Sequence, residues 1–305
     1  MVNDNIKMAV LGGDRRQIYV LSELARKGRK ISVVGLPRDM VADVCDGDFT
    51  FEDDINLALF GASVILLPFP TSADGVHINC PLDRTGALSD VKLSTLAKLA
   101  DKESLIIGGK IPPAFQKLAD ERGLRVCDML SVEAFEIKNA YITAEAALSI
   151  GMNSLSKNIC GSRVAVTGFG RIAKQLSRLL ASLGAHVTVA ARKESDLAFA
   201  ETLGYSCLKI EGERWNDALT HGYDIIYNTV PYRIFDREFL GAVDKKTLLV
   251  ELASVPGGFD ICAAQELGTN ISWALSLPGK YAPESAGTII AECAEKLVAE
   301  GVRGI

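Results

Sequence analysis

Short apolar runs of strand length alternate with stretches of helical period along nearly the whole chain, and the alternation happens twice. Such runs read as strands buried on both faces, and the helical stretches between them are the crossovers that parallel strands need. The first series opens with KMAVLGG, continues through RKISVVGL, ASVILLPFP and SLIIGG, and closes near LRVCDM, with helical segments such as 16–27 and 91–100 between. The second opens with RVAVTGFG and continues through HVTVAAR, YSCLKI, YDIIYNTV, TLLVEL and NISWAL. The expected fold is therefore α/β: two doubly wound parallel-sheet domains with an interdomain cleft.

A chain of 305 residues is long enough for two such domains. Residues 1–140 make the first and 161–281 the second, with a connecting helix at 141–160 inside EAFEIKNAYITAEAALSIGMNSLSKNICG. The segment 282–305 carries a helical stripe of Ala286, Ile290, Cys293, Ala294 and Leu297, with Pro283 and Glu284 suited to a first turn. It is expected to pack back on the first domain.

In RVAVTGFGRIAKQL a strand delivers the chain to Gly168, Gly170 and Ala173 at the head of an amphipathic helix. That is the G-x-G-x-x-A arrangement of a Rossmann-like nucleotide turn: one glycine for the turn, one for close approach of a pyrophosphate, a small residue for helix–strand packing. Unpaired N–H groups at Arg171 and Ile172 would face the phosphates. The other reading is a glycine turn that serves packing alone. NAD-binding versions end the next strand with an acid that bonds the ribose; here Ala191 is followed by Arg192 and Lys193, which predicts NADP through its 2′-phosphate. A solvated surface arginine is the alternative. Asn228, Thr229 and Pro231 end a later strand and are expected to border the nicotinamide, and Ala253 opens the next loop. In the first domain, KMAVLGGDRRQI lacks the dinucleotide spacing; Asp14, Arg15 and Arg16 there fit a small anion such as a carboxylate, or a charged helix start on the surface.

Other classes are disfavoured. A net charge of −5 gives no footprint for nucleic acid or an anionic membrane surface, and no apolar run approaches the roughly 20 residues of a membrane span. No leader precedes the first strand, so a cytoplasmic protein is expected. The seven scattered cysteines read as reduced, mostly buried thiols, and no metal cluster is visible. Of His77, His186 and His221, His77 is the single candidate for a base in a cleft, so ordinary alcohol oxidation is disfavoured.

Three further stretches are more specific: NTVP at 228–231, ELASVPGGFD at 251–260 and ALSLPGKYAPESAG at 274–287. With GGDRRQ near the start and NAYITAEAAL at the connector, the chain resembles the A subunit of dipicolinate synthase over nearly its whole length. Val255 and Ala146 stand where that family's pattern has a basic residue and a glycine. The resemblance implies an NADP-dependent oxidation of dihydrodipicolinate, formed from 4-hydroxy-tetrahydrodipicolinate, to dipicolinate in the mother cell of a sporulating bacterium. It also implies a partner, the flavoprotein-like B subunit of the same synthase. Arg15 and Arg16, with Asp14, would then hold the dicarboxylate, Lys280 would pair with a phosphate or carboxylate, and Glu145 would act as acid/base with Thr143 beside it. Aromatisation supplies driving force, so a carboxylate or water suffices to take the ring proton. A helix-start carboxylate is the plain alternative for Glu145. A related NADP-dependent imino- or amino-acid dehydrogenase and a non-catalytic nucleotide-binding subunit of a flavoprotein complex remain open, and a homo-oligomer is expected by analogy.

Overall fold

A computed structural model describes residues 6–301 apart from Glu213. Two compact units are present: the chain up to Asn139 together with the segment from Ala282, and Ala140–Tyr281. The first holds strands β1 (Lys7–Leu11), β2 (Lys30–Val34), β3 (Phe49–Phe51), β4 (Val64–Leu66), β5 (Leu105–Gly108) and β6 (Arg125–Asp128). All pair in parallel, in the order β3-β2-β1-β4-β5-β6. Between them run α1 (Arg15–Arg26), α2 (Arg38–Ala42), α3 (Ile55–Leu59), α4 (Leu93–Leu99) and α5 (Pro113–Arg122). The three-residue β3, flanked by acids in DFTFEDD, is a strand the apolar pattern does not single out.

A parallel strand shows alternate side chains to opposite faces, and here both faces are covered. Met8 and Val10 pack with Ile18 and Leu21 of α1, whereas Ala9 and Leu11 pack with Ile55, Leu96 and Phe115 on the other side. This is why the strands read as unbroken apolar runs.

The chain leaves the first unit along α6 (Glu133–Ser154), with Glu133 and Glu136 in its first turn. The helix starts and stops earlier than the 141–160 read from the sequence, because the polar first turns carry no apolar stripe while the acids suit the positive end of the helix dipole. The second unit then builds β7 (Arg163–Thr167), α7 (Arg171–Ser182), β8 (His186–Ala191), α8 (Glu194–Thr202), β9 (Ser206–Lys209) and β10 (Ile225–Asn228). It continues through α9 (Arg237–Ala242), β11 (Leu248–Glu251), α10 (Ile261–Leu267), β12 (Ile271–Trp273) and α11 (Leu277–Tyr281). Its order, β12-β11-β10-β7-β8-β9, is the same doubly wound arrangement as in the first unit. Two Rossmann-like α/β domains are thus present. Val164, Val166 and Tyr227 pack with Leu176 and Leu180 of α7, and Ala165, Ile226 and Leu249 face Phe235, Phe239 and Phe259.

The last helix, α12 (Pro283–Gly301), lies against α1 in the first unit; positions 302–305 of the helix read from the sequence fall outside the described residues. A Cβ on Gly287 would come within 2.6 Å of the Arg16 carbonyl oxygen and of Tyr19 Cβ, so only glycine lets the two helices meet there. The cysteines are all free, but they are less buried than their apolar neighbours suggest: Cys293 is buried, Cys160 and Cys262 are exposed, and the other four are intermediate.

Candidate functional site

β7 ends at Thr167 and the backbone turns at once through Gly168, whose φ of +86 suits glycine. The Gly168 N–H donates to the Ala190 carbonyl at 2.8 Å, tying the turn to β8, and a Cβ on Gly168 would sit 2.6 Å from Thr229 Oγ1. Gly170 is the N-cap of α7 with no side chain capping the helix and nothing within 4 Å of the Cβ it lacks. The first N–H groups of α7, at Arg171 and half-buried Ile172, have no acid in the first turn, while Ala173 is fully buried against the sheet. The result is a concave, donor-rich turn with the form that holds a pyrophosphate. β8 delivers buried Ala191 and then Arg192 and Lys193, both exposed.

The end of β10 differs from its expected role. Asn228 is fully buried and every hydrogen-bonding position of its amide is taken. Its Oδ1 accepts from Thr167 Oγ1 at 2.6 Å and from the Val230 N–H at 3.1 Å. Its Nδ2 donates to the Val230 carbonyl at 3.0 Å and to Glu251 Oε1 at 2.7 Å. Asn228 therefore shapes the rim and is not free to touch the nicotinamide. Half-buried Thr229, whose hydroxyl donates to the Thr167 carbonyl at 2.7 Å, and exposed Pro231 lie at that rim. Ala253 is buried and donates its N–H to Glu251 Oε1 at 2.9 Å.

In the first unit, the GGDRR turn sits where β1 hands over to α1, beside β4 at the point where the strand order reverses. Asp14 is the helix N-cap: its Oδ1 accepts the Arg16 N–H at 3.0 Å, and its carboxylate pairs with the Arg16 guanidinium at 2.7 Å. Arg16 is buried, also donates to the Phe69 carbonyl, and lies 5.2 Å from the centroid of the Phe69 ring. Its donors are committed to the fold, so Arg16 is a brace for the turn and not the free anion ligand its position suggests. Arg15, its neighbour, is exposed. Gln17 folds back over Gly13, with its buried Nε2 lacking a hydrogen-bond partner.

Glu145 is exposed on α6 and Thr143 is buried. Two residues apart, they point to opposite sides of the helix, so the expected pairing has no common face. Lys280 is exposed on α11. His77 is held by Asp74, its Nδ1 lying 2.6 Å from Oδ2, and hydrogen bonds from His77 hold the Asp74 carboxyl well below its usual range. Among the described residues no group of His, Cys, Asp or Glu is arranged to hold a metal ion, and no helix is long and apolar enough to cross a membrane.

The residue least visible in the sequence is Glu251, fully buried at the end of β11. Burial pushes its carboxyl above the ordinary value, opposed by hydrogen bonds from Gly258, Asn228, Ala253 and Phe259. The glycines of ELASVPGG are explained by it: a Cβ on Gly257 would lie 2.9 Å from Glu251 Oε2, and one on Gly258 would lie 2.4 Å from Asn228 Nδ2.

Residues 7–130 match the family of the N-terminal domain of the dipicolinate synthase A subunit. The chain is 29% identical to the dipicolinate synthase A subunit of Bacillus subtilis (strain 168) over 299 residues, covering 97% of this chain and 96% of that one. The crystal structure of the dipicolinate synthase A chain from Bacillus subtilis matches with a TM-score of 0.85 at 26% identity, covering 99% of this chain and 98% of that chain. The crystal structure of the corresponding Bacillus halodurans protein matches at 0.83 and 25% identity, covering 98% and 99%. An L-alanine dehydrogenase shares the fold at a TM-score of 0.61 and 10% identity, covering 98% and 91%. The resemblance carried by the SLPGKYAPESAG and ELASVPGG segments is thus borne out along the whole chain.

Proposed function

We propose that this chain, similar from end to end to the dipicolinate synthase A subunit, is an NADP-dependent oxidoreductase that converts dihydrodipicolinate, formed from 4-hydroxy-tetrahydrodipicolinate, to dipicolinate during sporulation. The observation that carries this reading is the end of β8. Exposed Arg192 and Lys193 follow it where an NAD site keeps an acid, beside an uncapped helix start that can take phosphate. NADP, when bound, supplies the hydride acceptor.

The remaining demands fall on the chain's own side chains. Oxidation of the dihydropyridine removes one hydride and one proton, and the ring becomes aromatic. Glu145, an exposed carboxylate on α6, is the group we assign to the proton, and the buried Thr143 helps hold that stretch of helix. The two substrate carboxylates call for cations; exposed Arg15 at the head of α1 and exposed Lys280 on α11 are assigned to them, with Asp14 and Arg16 bracing the turn. The flavoprotein-like B subunit, a homo-oligomeric assembly and the mother-cell cytoplasm complete the reading, supported by the relatives' names alone.

A coupled assay tests it. Hydroxy-tetrahydrodipicolinate is generated in situ, the chain is added with NADP, with and without the B subunit, and dipicolinate is followed by its ultraviolet absorbance. Product with stoichiometric NADPH supports the reading, and its dependence on the partner tells whether the chain catalyses the step alone. Nucleotide binding without product in either combination rejects this substrate in favour of another imino acid.

A further inference from the structure

The network at the ends of β7, β10 and β11 has one buried acid, and its chemistry reaches beyond the residues assigned above. Glu251 receives four hydrogen bonds: from Asn228 Nδ2 at 2.7 Å and the Ala253 N–H at 2.9 Å on Oε1, and from the Gly258 N–H at 2.7 Å and the Phe259 N–H at 3.2 Å on Oε2. Every one of these partners is a donor. An ionised carboxylate is acceptor-only and fits all four; a protonated acid or an amide would turn at least one donor against another. The site therefore selects Glu251 for its charge pattern as well as its size.

What the carboxylate grips is equally specific. Through Asn228 it fixes the loop after β10, since the same amide binds both the N–H and the carbonyl of Val230. Directly it closes the loop after β11 from Ala253 to Phe259, tightly enough that only glycines fit at 257 and 258. In a doubly wound nucleotide domain, the half built on the first two strands takes the adenosine side, and the half beyond the reversal point takes the other nucleotide. The β10 and β11 loops belong to that second half.

We propose that Glu251 is the positioning residue of the nicotinamide side: a buried carboxylate that touches no ligand and, through Asn228 and the 253–259 backbone, holds the rim against which the nicotinamide half docks. The inference rests on the reading of the second unit as an NADP site.

The test compares the wild-type chain with Glu251→Gln, using NADPH (by its fluorescence) and 2′-phospho-ADP-ribose, which lacks the nicotinamide, as separate probes. NADPH binding should weaken by about tenfold, of the order expected for losing one hydrogen bond to a charged group, while binding of the fragment should hold within about twofold. Equal weakening of both probes, the mark of a damaged fold, would overturn the inference, as would unchanged NADPH binding. A wild-type chain that bound neither probe would overturn the nucleotide reading and this inference with it. If Glu251→Gln does not fold, Thr167→Val carries the test: it removes the hydroxyl that Asn228 Oδ1 accepts at nearly constant volume. It should show the same selective loss in smaller measure, and no selective loss would refute the role.

Discussion

Arg192 turns a general nucleotide fold into one with a preference, because it is the first side chain past β8 and nothing acidic competes for it at that strand end. If it contacts the 2′-phosphate, a charge-assisted bond of about 1.5–3 kcal/mol is lost in Arg192→Ala, so KM for NADP should rise roughly tenfold to a hundredfold. KM for NAD should stay put; an unchanged NADP-to-NAD ratio of kcat/KM would make Arg192 an ordinary surface charge. Cys293 gives a second prediction at this scale. Burial pushes its thiol up to about 11. The folded state then holds the proton more tightly than the unfolded chain, so its contribution is complete below the ordinary thiol value and is lost as pH rises from there toward 11. Alkylation of the native protein near pH 8 should label exposed Cys160 and Cys262 and spare Cys293, and rapid labelling of Cys293 would contradict its burial. Some residue roles are legible in the sequence and others are not, for a physical reason. Gly168, Gly170 and Ala173 announce themselves because a turn, an approach and a close packing each exclude side chains. Arg15 and Arg16 look alike as letters, and only the packing of Asp14 and Phe69 tells the exposed one from the brace. A lone glutamate in ELASVPGG reads as a surface charge until three backbone N–H groups close on it.

At the scale of elements, the strands of the second unit are the most readable part of the chain, since strands covered on both faces show as apolar runs whatever their neighbours. Short β3 and the polar start of α6 escape the pattern because neither has enough apolar positions to display a period. Helix crossings are less legible still, and two of them depend on glycine. On α6, a Cβ at Gly151 would meet the Tyr227 hydroxyl at 2.2 Å, the same hydroxyl that donates to the Ala147 carbonyl at 3.1 Å and so seats the helix that carries Glu145. On α12, Gly287 faces the α1 backbone, which cannot yield as a flexible side chain can. Gly287→Ala gains helix propensity but forces the two helices apart, and overpacking of this kind costs about 1–3 kcal/mol. A lower Tm is expected, with a displaced Arg16 and weakened binding at the GGDRR turn; a Tm at or above wild type would show that the crossing can relax.

For the whole molecule, the unusual feature is that the first unit is made from two separated pieces of chain, while the second is continuous. α12 brings Ile290, Ala291, Cys293, Ala294 and Val298 into the core of the first unit, and its Glu295 pairs with Arg29 at 2.7 Å in a largely buried contact. Burying large aliphatic side chains contributes roughly 1.5–3 kcal/mol each, so Ile290 and Val298 with the smaller residues add several kcal/mol, a large share of the 5–15 kcal/mol that holds a typical domain together. A chain ending at Tyr281 would also leave the α1 face of β1 and β2 open to water. Such a truncation should therefore unfold the first unit and spare the second, whose twin cores lie entirely within residues 140–281. Hydrogen exchange would read the outcome directly. Amides of β1, β2 and β4 should lose protection while those of β7, β8 and β10 keep it, and NADPH should still bind because the glycine turn, Arg192 and Glu251 all belong to the intact unit. Retained protection in β1 and β2 would mean that residues 6–139 fold without their returning helix. Loss of protection in β7 and β10 would mean that the two units are stable only as one cooperative whole.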